Sequence, residues 1–411
     1  MQCFSRESIA PFGYYANRTM RFFSKVFFFV ALLFSGWAVS SCDEAVQSEG
    51  IEQEDNGGSK PSSVVVELLA SSSLIIADGE DELVLIVKYD SLDVTDSASV
   101  YVNKKRMNGN LFVTDVPGDY EFFASYKGKV SNSIIIKAAN PELYANLPED
   151  SQPERFSDFN RNILIGEATG TWCGACPYMI RALELFEEKG SNADKAVIVA
   201  FHSDDELSSD ASEALVHAMG MYDFPSCVLN LNPDVLILGS AQPEVNAENF
   251  NALVGMELKE ASCVGIATTT TLSVDGSVVG VRAAVKIGKE GNYRINAWLI
   301  EDGVSAEQSS YWSEFSDGKA MVVIDHKHIL RDASCVSPVQ GPLLVDKNSC
   351  VAGEIVEFYH EFDVAKAGVE DISNCKIAVL VSTVGNSTSK KYFVNNIVEC
   401  NVGESIPFGY K

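Results

Sequence analysis

Hydrophobic and polar positions divide the chain into three regions with different periods. Between residues 64 and 138, short apolar or β-branched runs at 64–66, 83–87, 100–102, 120–124 and 134–136 alternate with turn formers such as Ala77-Asp78-Gly79 and Pro117-Gly118-Asp119. Strands at that spacing predict a small β-sandwich over 63–138. A polar stretch carrying Pro141, Pro148 and Pro153 then reads as a linker, 139–158. From 159 to 261 strands at 162–165 and 195–201 alternate with helices at 177–189 and 209–219, followed by a hairpin of 226–230 with 235–238 and a helix at 244–260. The first helix rests on period, because Ile180, Leu183 and Phe186 recur beside Arg181, Glu184 and Glu187. Beyond Cys263 strands return at 266–273, 278–287, 293–301, 355–362, 376–382 and 392–399, which predicts a C-terminal β-sandwich over 262–411. The expected fold is multidomain: a β-sandwich, an α/β centre and a second β-sandwich.

Ahead of the first sandwich, Met20-Arg21-Phe22-Phe23-Ser24-Lys25 is basic, and 26–39 is almost entirely apolar up to Val39-Ser40-Ser41-Cys42. A membrane-spanning helix needs about 20 apolar residues, whereas this run is shorter and ends in small residues before a cysteine. It resembles the bacterial lipobox, which implies a signal peptide over 1–41, cleavage before Cys42 and diacylglycerol on the Cys42 sulfur. Met20 is the better start, since 3–18 adds nothing to a signal. Residues 42–62 are acidic and polar and read as a solvated tether. They resemble the surface-export signals of Bacteroides-type lipoproteins, with a plain acidic linker as the alternative. The expected location is the cell envelope, as an outer-membrane lipoprotein facing the periplasm or the medium and held to the membrane by lipid on Cys42.

Composition narrows the function. The chain has 31 Lys and Arg against 57 Asp and Glu, a net charge of −26, so no nucleic-acid partner is expected. Ten cysteines suit an oxidising compartment. The chemistry centres on Thr171-Trp172-Cys173-Gly174-Ala175-Cys176-Pro177, which follows a predicted strand and opens a predicted helix. At a helix N-terminus the unpaired amides and the macrodipole favour a thiolate, so Cys173 is the expected attacking sulfur. Cys176, one turn deeper, would resolve a mixed disulfide. Pro177 is tolerated there because its missing donor would be unpaired anyway. An inert disulfide is the competing reading. A zinc half-site would need a second ligand pair, so neither a metal nor a cofactor is expected.

This segment resembles the thioredoxin superfamily, and the resemblance makes the central fold thioredoxin-like. It implies a cis-proline loop against the two sulfurs, for which Phe224-Pro225-Ser226 supplies Pro225. It also implies a buried carboxylate near the second cysteine, for which Glu167 stands in the right place. Such a carboxylate would have a raised pKa and serve as base for Cys176. The first sandwich resembles bacterial immunoglobulin-like domains. A wider resemblance, carried by 166–177, Phe201-His202, Phe224-Pro225-Ser226, Asp325-His326-Lys327-His328-Ile329-Leu330-Arg331 and Tyr392-Phe393-Val394-Asn395-Asn396, is to the 28-kDa outer-membrane protein family of Bacteroides-type lipoproteins.

The expected activity is thiol-disulfide exchange with protein thiols or disulfides, through Cys173, Cys176, Glu167 and Pro225. The alternative is a surface binding or assembly lipoprotein that uses the central domain as a scaffold. His326 and His328 alternate on a predicted strand and would face one side. His202 ends a strand at the edge of the site. Cys375 and Cys400 lie within one residue of equal distance from the turn-rich 385–389, so a symmetric hairpin would set them opposite and permit a structural disulfide. Cys335 with Cys350, and Cys227 with Cys263, are weaker pairs, and free buried thiols are the alternative for all.

Overall fold

The computed structural model describes residues 65–411 apart from 73, 235, 336, 339–340, 345–348 and 385–391. The predicted signal peptide, the expected lipidation site Cys42, the predicted tether and the 385–389 turn region lie outside the described residues.

Turn residues interrupt every apolar run early in the chain, so its strands are short. They are β1 (Val66–Ala70), β2 (Leu74–Ile76), β3 (Leu83–Tyr89), β4 (Leu92–Asp93), β5 (Ser99–Val102), β6 (Lys105–Arg106), β7 (Leu111–Phe112), β8 (Gly118–Tyr126), β9 (Lys129–Val130) and β10 (Ile134–Ala139). β1, β3, β4 and β7 form one sheet, and β2, β10, β8, β5, β6 and β9 the other. Successive strand residues point to opposite faces, so Leu83, Leu85 and Val87 of β3 meet Phe122 and Ala124 of β8 in one core. Asn132 finishes the β1 backbone: its Oδ1 accepts from the Leu68 amide at 2.9 Å, and its Nδ2 donates to the Leu68 carbonyl at 3.1 Å. The predicted first sandwich is present.

The α/β region follows in the predicted order: β11 (Ile163–Thr169), α1 (Cys176–Lys189), β12 (Ala196–His202), α2 (Asp210–Met219), β13 (Ser226–Leu229), β14 (Leu236–Leu238) and α3 (Pro243–Glu257). The C-terminal strands are β15 (Val264–Leu272), β16 (Val278–Ile287), β17 (Tyr293–Glu301), β18 (Val304–Ser309), β19 (Met321–His326), β20 (Ile329–Ala333), β21 (Ile355–Asp363), β22 (Cys375–Val384), β23 (Tyr392–Asn401) and β24 (Ser405–Ile406).

The boundary expected at 261/262 falls between α3 and β15, yet one eight-stranded sheet takes strands from both sides of it, in the order β14-β13-β11-β12-β20-β17-β22-β23. Both faces of this sheet are covered, which is why its strands read as nearly continuous apolar runs. On one face α2 packs over Leu164, Val199, Phe201, Trp298, Ile300 and Leu380 in a single core. On the other, α1 and α3 cover Ile163, Ile165 and Ile198. Farther along that face, the sheet of β15, β16, β21 and β24 covers Ile295, Leu299 and Ile377. Gly166 is fixed by close approach, since a Cβ there would lie 2.4 Å from the Phe201 ring.

The predicted Cys375–Cys400 bridge is absent, and both residues are free, buried thiols. The β22–β23 register sets Cys400 opposite Ile377 and Lys376 opposite Asn401, so Cys375 stands two residues out of step. Two offsets of one residue add up: the turn-end pair Val384–Tyr392 is centred on residue 388 and not on the Cys375–Cys400 midpoint, and the ladder then slips between Val381 and Ser382 and skips Asn395. The freed Asn395 carbonyl accepts from Arg161 Nε at 3.0 Å. Cys227, Cys263, Cys335 and Cys350 are likewise free, so neither weaker pair forms.

Lys286 of β16 holds the proline-rich linker. Its fully buried ammonium donates to the carbonyls of Gln152, Pro153 and Arg155 at 2.9, 2.8 and 3.1 Å and to Tyr410 Oη at 3.0 Å, and it pairs with Asp150. Removing one partner of a buried pair leaves the other uncompensated, at about 3–5 kcal/mol. Lys286→Met is therefore expected to lower unfolding free energy by roughly that amount in urea titration, and an unchanged midpoint would refute this role for the linker.

Candidate functional site

Cys173 and Cys176 form a disulfide, with Cα atoms 5.4 Å apart, at the start of α1. The Cys176 amide donates to Cys173 Sγ at 3.1 Å. Cys176 is fully buried and Cys173 only 4% exposed. The preceding loop is fixed by polar contacts with the segment after β12. Asp205 Oδ2 accepts from the Thr171 amide at 2.8 Å and meets His202 Nδ1 at 2.8 Å, and Trp172 Nε1 donates to the Ser203 carbonyl at 2.9 Å. Burial pushes the Asp205 carboxyl up, but the hydrogen bonds from His202 and from the Thr171 and Leu207 amides outweigh it and hold the group below its ordinary range.

Phe224–Pro225 is a cis peptide. The Phe224 ring lies 5.1 Å from that of Trp172, which brings the proline loop against the cysteine loop. Glu167 lies on β11, opposite Cys227 of β13 and beside Ala200 of β12. Residues 163, 165 and 167 share a strand face, and Ile163 and Ile165 pack toward α1, so Glu167 points under that helix. It is 3% exposed, and its Oε1 has no hydrogen-bond partner. Burial alone raises its pKa from 4.5 to about 8. Burial also pushes the Cys227 thiol well above its ordinary value, helped by the nearby Glu167.

The segment covering this site was not legible in the sequence. β18 and β19 form a separate hairpin, and its tip lies on the cysteine loop. The Ser309 amide donates to the Thr171 carbonyl and the Tyr311 amide to the Gly174 carbonyl, both at 2.7 Å. Gln308 Nε2 donates to the Cys173 carbonyl at 2.9 Å. The Tyr311 ring lies so close that a Cβ on Gly174 would come within 2.5 Å of it, and Trp312 stacks on Tyr178 with centroids 4.9 Å apart. The only sequence signal for β18 is the alternation Val304-Ser305-Ala306-Glu307-Gln308, in which Val304 is followed on the inward side by the small Ala306 and the polar Gln308.

His326 and His328 do not share a strand. His326 ends β19, and His328 sits in the next turn with φ +59°. Burial, followed by the nearby His202, pushes the His326 imidazole down to about 4. His328 Nε2 lies 3.3 Å from Glu187 Oε1. Among the described residues no cluster of three or more His, Cys, Asp or Glu could hold a metal ion, and no helix is long and apolar enough to cross a membrane.

The sign of the Glu167 shift fixes a pH dependence. Between pH 4.5 and about 8 the unfolded carboxyl is ionised while the folded one keeps its proton, so the folded state binds more protons and loses stability as pH rises through that window. Each unit of difference is worth about 1.4 kcal/mol. Glu167→Gln should flatten the fall of unfolding free energy between pH 5 and 8, and a slope equal to that of the unaltered protein would place the carboxylate in water.

Residues 212–405 match the model of the family described as outer membrane protein Omp28. Among solved structures, the chain is similar to HBP35 of Porphyromonas gingivalis at 15% identity and a TM-score of 0.47, covering 61% of this chain and 78% of that one. It is also similar to a domain of the outer membrane lipoprotein Omp28 from Porphyromonas gingivalis, at 14% identity and a TM-score of 0.21, covering 34% of this chain and 89% of that one. No curated protein matches the chain. The family match begins within α2, after Cys173 and Cys176, and includes the hairpin over the cysteine loop. Residues 212–405, just under half of the chain, thus match the Omp28 outer-membrane protein family, in line with the family resemblance and the outer-membrane location expected from the sequence.

Proposed function

We propose that the chain is a lipid-anchored thiol-disulfide oxidoreductase whose residues 159–261 form a thioredoxin-like domain, acting on protein thiols or disulfides in the envelope. The observation that carries this reading is the Cys173–Cys176 pair at the head of α1, with a buried, unpartnered carboxyl on the strand beneath that helix. In the reducing direction the Cys173 thiolate attacks a substrate disulfide, forms a mixed disulfide and expels one substrate thiolate. Cys176 gives its proton to Glu167 once that carboxyl is ionised, a form that gains population as pH approaches about 8, and attacks the Cys173 sulfur. The second substrate thiolate leaves, and the Cys173–Cys176 disulfide remains. The Cys176 amide aimed at Cys173 Sγ stabilises the attacking thiolate. Pro225, in the loop against the cysteines, is assigned to the substrate-facing wall.

A specific observation favours a second reading, in which the disulfide is inert and the protein binds or assembles as a scaffold: Cys173 is 4% exposed beneath the hairpin tip. The reduction potential separates the two. A value of about −120 to −270 mV supports exchange, and one below about −300 mV supports the scaffold. In the reduced protein Cys173 should be alkylated faster than Cys176 or the buried Cys227, and equal rates would reverse the role assignment. Tyr311→Ala should speed thiol exchange severalfold by uncovering the Gly174 side of the loop. An unchanged rate would mean that the hairpin tip does not limit access.

A further inference from the structure

Gln308 is a fully buried amide in the hairpin over the cysteine loop, the last of the inward row Val304, Ala306, Gln308 on β18. Its Nε2 donates to the Cys173 carbonyl at 2.9 Å, the Ser309 carbonyl at 3.0 Å and the Gly170 carbonyl at 3.3 Å. Three carbonyls around one end of the amide fix its orientation, because only the NH₂ end can donate. The other end, Oε1, is buried with no partner, and an acceptor left unsatisfied in this way destabilises the fold. An apolar side chain of the same length would avoid that loss, so what sets Gln308 apart is its donor end.

The donor end bears on the reactive sulfur through one shared amide. Residues 170–173 and 173–176 are successive turns: the Cys173 amide donates to the Gly170 carbonyl at 2.9 Å, and the Cys176 amide to the Cys173 carbonyl at 3.2 Å. The Cys176 amide has a second acceptor, Cys173 Sγ at 3.1 Å. One N–H is thus divided between the carbonyl and the sulfur of the same residue, and Pro177, next along, has no N–H to add. A buried carbonyl needs a donor, and for Cys173 the closer one is Gln308. We infer that Gln308 is a positioning residue for Cys173: by holding the Cys173 carbonyl it leaves the Cys176 amide to the sulfur when the disulfide opens and that sulfur becomes a thiolate. Hydrogen bonds to an ionised acceptor are the stronger ones, so the amide turns to the sulfur in the thiolate without stranding the carbonyl. The inference rests on the reading of Cys173 as the attacking thiolate. It places part of the control of that thiolate on a C-terminal strand, 135 positions along the chain.

The test titrates the thiolate directly in the reduced full chain, by its ultraviolet absorbance, taking as Cys173 the step that Cys173→Ser removes. Gln308→Met keeps the side-chain length and has no donor. Its Cys173 midpoint should lie about one pH unit above that of the unaltered protein, a tenfold loss of thiolate at lower pH. Gln308→Asn keeps an amide but withdraws it by one methylene, so it should shift the midpoint the same way and serves if Gln308→Met fails to fold. Asp205, His202 and Tyr311, ionisable groups that face the loop, stay in place in both variants. An unshifted or lowered midpoint in a folded variant would overturn the inference, even where the variant is less stable, and would leave Gln308 a structural clamp. Failure of the reduced, unaltered protein to exchange with a small aromatic disulfide would instead sink the oxidoreductase reading, and the midpoint would still report on Gln308.

Discussion

The pairing of β12 with β20 is the constraint on which the rest of the molecule depends. The Ala200 amide donates to the His328 carbonyl at 2.7 Å, and Ala200 stands opposite Ile329 in a parallel pair. Without it β12 would be an open edge with unpaired backbone groups. With it, the α/β strands and the C-terminal strands become one sheet, and α2 seals a core running from Leu164 to Ile397. The join is short, so the shared apolar face beneath α2 holds the two halves in register. The turn that delivers β20 also lays Asp325, His326, Lys327 and His328 over a cavity beneath α1.

That arrangement explains why Glu167 is buried. Its strand neighbours are apolar or backbone-paired, α1 lies above it, and the β19–β20 turn closes the side from which solvent would enter. A carboxyl in such a site keeps its proton unless something in the site can take it. The nearby imidazole cannot compensate by charging, because burial also holds His326 neutral near pH 7.

Much of this was legible in the sequence. The nearly continuous apolar runs of β15, β16 and β17 and the helical period of α1 place each element within a few residues, because burial on one or both faces writes the pattern into residue type. The cysteine motif and its position before a helix were equally plain, as was the carboxyl at 167. The hairpin of β18 and β19 was not, since its buried side holds Ala306 and Gln308 and carries little hydrophobic signal. The pairing of Cys375 with Cys400 failed for a different reason. Midpoint arithmetic assumes a regular ladder, whereas the turn-end pair Val384–Tyr392 is centred on residue 388 and the ladder skips Asn395, neither of which the run Val394-Asn395-Asn396-Ile397 announces. His328 likewise looked like a strand residue until its positive φ ended the strand before it.

The hairpin gives a second meaning to the middle of the cysteine motif. Glycine between two cysteines invites an account confined to the loop. Here, however, Gly174 has no strained backbone, and its limit comes from Tyr311, 137 positions along the chain, whose ring fills the space a Cβ would need. The Gly174 carbonyl accepts from the amide of the same tyrosine. A larger residue at 174 would therefore push Tyr311 away and strain the backbone contacts that Gln308, Ser309 and Tyr311 make with the loop. The reactive segment and its cover are thus one packing unit, built from both sides of residue 261. Access to Cys173 is governed by the C-terminal strands as much as by the α/β elements that carry the cysteines.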